Sequence, residues 1–140
     1  MYKVESLGVE EAKTAVEAML QEALKQPGQP VSMAVVDNRG DLICYARMDG
    51  ANRFNQLMAI RKAATSVQIG IDTLIFKEAL PALNMSIGDF GSTDITTVQG
   101  GVCVRKPDTG AVLGGIGVSG RMANEDEALA RVGANAVTNL

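Results

Sequence analysis

The pattern of apolar and polar positions divides the chain into alternating blocks. Over residues 9–25, Ala12, Ala15, Val16, Met19, Leu20, Ala23 and Leu24 recur at three- and four-residue steps, with Glu10, Lys13, Glu17 and Gln21 on the other side. That period predicts an amphipathic helix, ended by the glycine and two prolines of residues 26–30. Residues 31–37, VSMAVVD, are apolar on both alternating faces and predict a strand covered on both sides. The turn Asn38-Arg39-Gly40-Asp41 leads to a returning strand, LICYARM, over 42–48. Asn52 is placed to cap a second long helix over 53–69, with Leu57, Ile60, Ala64 and Val67 in its apolar stripe.

The later chain changes character. A short helix is expected from Thr73 to Leu80, stopped by Pro81, and LNMSIGDFGSTDITTVQ after it reads as a binding loop or interface. Gly100-Gly101 opens a strand, VCVRK; Pro107-Asp108-Thr109-Gly110 forms a turn; and AVLGGIGV pairs back. A last helix is expected over about 124–137. Two hairpins flanked by helices, without short β-α-β repeats, define an α+β domain with an antiparallel sheet.

Residues 111–128 are the focus of this pattern. Gly114, Gly115, Gly117 and Gly120 lack Cβ atoms, so another backbone or a flat ligand can approach closely. The acidic cluster Glu125-Asp126-Glu127 then meets the positive end of the final helix. We expect Gly115 and Gly117, with Gly100, Gly101 and Ser119, to line a small-molecule site. Gly115-x-Gly117-x-x-Gly120 matches a dinucleotide fingerprint only by letter, since no β-α-β unit follows. Ser119 has no histidine to activate it and reads as a helix cap.

Composition narrows the chemistry. The chain has 140 residues, enough for one domain over 1–140, and its net charge of −3 without a basic block gives no nucleic-acid footprint. No apolar run is long enough to span a bilayer, and the charged N-terminus lacks a signal-peptide core, so a cytoplasmic protein is expected. Cys44 and Cys103 stand alone and read as two buried thiols. The chain has no histidine, which excludes Ser-His-Asp and Cys-His catalysis and removes the commonest metal ligand. Proton transfer would fall to groups such as Lys62, Asp126 or Glu127. Lys62 reads either as a surface lysine with a buried stem or as a cleft lysine facing an anion. Arg47 and Arg53, beside Asp49, read as a structural ion pair or as a clamp for a substrate carboxylate. The seven methionines are core filling, with Met85 and Met122 in polar segments.

Three stretches together, VSMAVVDNRGDLICYARMDGA at 31–51, AIRKAATSVQIG at 59–70 and VQGGVCVRKPDTGAVLGGIGVSG at 98–120 followed by DEALA at 126–130, resemble the GlcG/HbpS-type heme-binding family. That family includes the C-terminal domain of PduO-type cobalamin adenosyltransferases. The resemblance implies an antiparallel, about five-stranded sheet flanked by helices, of profilin-like type, in homo-oligomers. The fifth strand would come from 84–99. It also implies binding of heme, another tetrapyrrole or a corrinoid-related ligand, or an accessory role in a catabolic operon. Histidine ligation of heme cannot transfer, so axial coordination would need Cys, Tyr or Met. Two other readings stand beside it: a metal-independent enzyme acting on a small organic acid or aromatic catabolite, and an oligomeric accessory protein without ligand.

Overall fold

The computed structural model describes residues 1–139. Helix α1 spans Val9–Lys25, strands β1 and β2 span Ser32–Val36 and Leu42–Arg47, and α2 spans Arg53–Ile69. Helix α3 covers Thr73–Ala82, a 3-10 turn Ile87–Phe90, strands β3 and β4 Gly101–Arg105 and Val112–Ser119, and α4 Ala123–Thr138. The four strands form one antiparallel sheet in the order β2-β1-β4-β3. Helices α1 and α4 cover one face, and α2 covers the other.

The two faces are filled differently. Met33 and Val35, Val102 and Val104, and Ile116 and Val118 point to the α1/α4 side, where they meet Met19, Ala15, Leu129 and Ala130. On the α2 side the same strands offer Ala34 and Val36 to Ala59 and Ala63. The register sets Gly117 opposite both Ala34 and Gly101, and Gly115 opposite Cys103. This side of the sheet centre therefore has almost no side chains, and α2 settles onto bare backbone. A Cβ on Gly117 would collide with the carbonyl of Ala59, and one on Gly115 with Ser66 Oγ and the carbonyl of Ala63.

Most expected elements are present, with two corrections. Asn52 caps α2 as anticipated, its side chain accepting from Asn55 N–H at 2.8 Å. Helix α3 continues through Pro81 to Ala82. The fifth strand sought in 84–99 is absent. Side chains take up part of this segment's main chain, with Thr96 N–H donating to Thr65 Oγ1 at 3.0 Å and Ser86 N–H to Asp89 at 2.8 Å. A satellite core of Phe76, Leu80 and Ile95, with Phe90 edge-on to Phe76 at 5.1 Å, anchors the segment against α3.

The glycine–helix contact predicts its own sensitivity. Gly117→Ala is expected to lift α2 off the sheet and to lower unfolding free energy by roughly 1–3 kcal/mol, read by urea denaturation. Gly110→Ala, at a turn glycine with open space around it, changes no packing and serves as the comparison, losing only the cost of its positive φ.

Candidate functional site

The chemistry-bearing residues gather where the middle of α2 passes the end of β4 and the start of α4. Lys62 projects from α2 into the interior and is 2 % exposed. Its Nζ donates to the Val118 carbonyl at 2.9 Å and lies 3.4 Å from Asp126 Oδ2. Asp126, 2 % exposed, reaches back from the first turn of α4. Its Oδ1 accepts from Arg121 N–H at 2.9 Å and its Oδ2 from Gly120 N–H at 3.3 Å. One carboxylate thus closes the bend after β4 and neutralises the lysine beneath it. Lys62 is neither a surface lysine nor a cleft lysine, because nothing but protein surrounds its ammonium.

Gly100 explains how the lysine fits. It adopts φ +129°, and a Cβ there would lie 2.9 Å from Lys62 Nζ. Gly101 is pressed against the Lys62 carbonyl and Thr73 Cγ2, and its N–H donates to Thr73 Oγ1 at 3.0 Å. The hollow expected beside Gly100, Gly101, Gly115 and Gly117 is occupied by α2 itself. These glycines serve helix–sheet packing and floor no opening, because the helix backbone comes as close as a ligand would have done.

Further polar pairs join neighbouring elements. Ser119 Oγ donates to Asn55 Oδ1 at 2.9 Å and so joins β4 to α2; it does not cap α4, whose N-cap residue is Met122. Glu127, half-buried, accepts from Gln99 Nε2 at 3.1 Å. Arg47 donates to Gln56 Oε1 at 3.3 Å and forms no ion pair with Asp49 among the described residues. Arg53 stands exposed in the first turn of α2. Sequence reasoning missed Asn55 and Gln99, which complete two of these pairs. It also missed Arg121, whose guanidinium bonds to the carbonyls of Gln29, Ala23 and Gln26 and so ties the bend before α4 to the end of α1. None carries a motif; only an uncapped helix end at Gln26 hinted that a donor was needed there.

Open grooves lie elsewhere. The largest described, about 650 Å³, runs between α1 and the edge strand β2 and is lined by Lys13, Val16, Ala18, Gln21 and Cys44, among others. A second, about 490 Å³, lies beside Gly28, Arg121 and Met122, and Arg47 borders a smaller one with Leu20 and Leu24. Lys62, Asp126 and Glu127 line none of these. Cys103 is buried, and burial pushes its thiol pKa up, so it is a poor nucleophile. Cys44 is half-buried at the groove wall. Among the described residues no His, Cys, Asp or Glu cluster could hold a metal ion, and no helix is long and apolar enough to cross a membrane.

An antiparallel four-stranded sheet sandwiched by helices, with one helix seated on a glycine strand and pinned by a buried Lys–Asp pair, defines an α+β domain class. The family model described as haem degrading protein HbpS-like matches residues 7–135, and the chain belongs to that family. HbpS of Streptomyces reticuli, solved as a double mutant, is 30% identical, with a TM-score of 0.85 covering 98% of this chain and 90% of that one. The Klebsiella pneumoniae protein ORFY shares the fold at 22% identity and a TM-score of 0.87, covering 100% and 96%. PduOC, solved as a heme complex, shares it at 21% identity and a TM-score of 0.80, covering 94% of each chain. No curated protein matches the chain.

Desolvation drives the titration of the buried pair. Burial lowers the Lys62 pKa against the opposing pull of Asp126. Burial raises that of Asp126 against the Arg121 amide and Lys62. A lysine depressed in the fold costs stability wherever it must be charged, and that cost fades as pH rises through the depressed value toward 10.5. The stability of wild type relative to Lys62→Met is therefore expected to grow over that alkaline window, measured by urea unfolding at stepped pH. Asp126→Ala leaves the buried Lys62 cation without its counter-charge and the Gly120 and Arg121 amides without their acceptor, and is expected to cost roughly 3–5 kcal/mol.

Proposed function

We propose that the chain binds heme or a related tetrapyrrole, with the ligand in the groove between α1 and β2. The observation that carries this reading is the HbpS-like match over residues 7–135; the heme complex of the PduOC structure supports it. The groove fits such a ligand in kind. Its roughly 650 Å³ lies in the range of small-molecule sites. Val16 and Ala18 offer apolar contact for a flat ring, and Cys44 a thiol in place of histidine; Lys13, which pairs with Glu10 at 3.8 Å, offers a cation for a carboxylate edge beside the groove's two carboxylates, Glu10 and Glu17. Bound heme would supply the iron; the chain supplies an apolar wall, a cation and a sulfur donor.

A metal-independent enzyme is the weaker reading. Lys62 and Asp126 have the shifted pKa values such a role needs, yet they are sealed from every groove described. We also propose self-association, the family expectation, and a cytoplasmic location, which the two unpaired thiols suit.

Titration of the purified protein with hemin is expected to give a saturable Soret shift near one equivalent. Cys44→Ser is expected to move the Soret position and to weaken binding, whereas Cys103→Ser leaves both unchanged. No saturable shift in wild type removes the heme reading.

A further inference from the structure

The β3 edge of the sheet is closed by the start of α3, and a further groove lies at that closure. Cys103 N–H donates to Asp72 Oδ1 at 2.8 Å, and Gly101 N–H to Thr73 Oγ1 at 3.0 Å. Asp72 Oδ2 accepts from Arg131 Nη2 of α4 at 2.6 Å. One aspartate therefore joins β3, α3 and α4. The groove beside it measures about 370 Å³. Ile71, Ile75 and Ala134 give it an apolar lining, and Arg105, Arg131 and Asn135 are its exposed polar residues.

Charge sets this groove apart. It holds two arginines against one aspartate. The α1/β2 groove holds two glutamates against one lysine, and the other two described hold one charge of each sign. The cations here are also the more available partners. Asp72 has both oxygens engaged and a side chain only 14% exposed, whereas that of Arg131 is 46% exposed. Arg131 gives Asp72 a single nitrogen, so Nε and Nη1 have no acceptor among the described residues. Asn135 lies one turn further along the same face of α4, and its side-chain amide is likewise without a bond among the described residues. Arg105 spends its guanidinium on the neutral carbonyls of Gly70 and Gly110, so its charge has no counter-ion among the described residues. We propose that this groove binds a small carboxylic acid, the carboxylate on Arg131 and Asn135 and the apolar part against Ile71 and Ile75. A guanidinium fork matches a carboxylate in shape and charge. The volume falls at the small end of ligand sites, and the apolar lining suits an organic acid better than a bare inorganic anion. The site is separate from the groove proposed for heme and does not depend on that reading.

The probes are benzoate and hexanoate, followed by calorimetry and by amide NMR of the full chain. At least one is expected to bind saturably at millimolar concentration and to shift the amides of Cys103, Arg131 and Asn135. Benzylamine, which reverses the charge, is expected to shift none of them, and inorganic phosphate to bind at least tenfold more weakly. Arg131→Gln is expected to weaken binding roughly tenfold or more, the loss of a charged hydrogen-bonding partner. Ile75→Glu keeps the Asp72–Arg131 pair, alters a half-exposed position and is expected to weaken binding as much by repulsion. Both variants are expected to leave the hemin titration unchanged, which separates this site from the heme reading. The proposal is overturned if neither acid binds, if benzylamine shifts the same amides, if phosphate binds as tightly, or if the two folded variants bind like wild type.

Discussion

The structure depends on one contact: the backbone of α2 lying against the side-chain-free centre of β4. Gly115 and Gly117 leave no Cβ between the helix and the sheet, and Ala59, Ala63 and Ser66 bring α2 down to them. A helix with large apolar residues on that face would stand off at the usual separation. Here the approach is so close that α2's partner surface is largely main chain. The small-residue face also explains why this helix lacks a strong amphipathic stripe, with buried Thr65, Ser66 and Lys62 among its alanines.

Close approach creates an electrostatic problem and its solution. Lys62 comes down inside the boundary of the sheet, where its ammonium is stripped of water. A buried cation is tolerable only if paired and hydrogen-bonded. The Val118 carbonyl and Asp126 meet that need, and Asp126 in turn satisfies the two amides of the bend at Gly120 and Arg121. Arg121 then reaches the open carbonyls at the end of α1. A chain of polar contacts thereby runs from α2 through β4 and α4 to α1, from one face of the sheet to the other. The expense of burying charge is met at the one point where three elements must hold a fixed relation.

Much of this was legible in the chain, though not for the reason first attached to it. The periodicity of residues 9–25 and the two hairpins fix which elements exist, because burial on one or both faces leaves a direct imprint on apolar spacing. The importance of 114–120 was also legible, since glycines in a strand signal close approach. Glycine does not say what approaches. The same letters serve a ligand or a helix, and only the small residues at Ala59, Ala63 and Ser66, four and three apart, mark a matching partner. Lys62 was misread because a lysine beside alanines resembles a snorkelling residue; its acceptors lie 56 and 64 positions away. The family resemblance implies a strand within 84–99, whereas four of that segment's amides are taken by the side chains of Asp89, Ser92, Thr65 and Thr96, which leave no periodic signature.

The filling of the glycine hollow moves the ligand question to the outside of the domain. A protein whose helix–sheet interface is closed by backbone contact has no interior volume to open for a tetrapyrrole without separating α2 from β4 and exposing the Lys62–Asp126 pair. The binding proposed above would therefore use a surface where secondary-structure elements end or sheet edges run free. The β3 edge is closed by α3. The β2 edge combines a strand bonded only to β1, a half-buried thiol and the largest groove described. The residues that make the fold rigid and those that line the open grooves are then separate sets: the glycine strand and its buried ion pair hold the fold, and the two largest grooves described are built from α1, β2 and the bends at the sheet's ends.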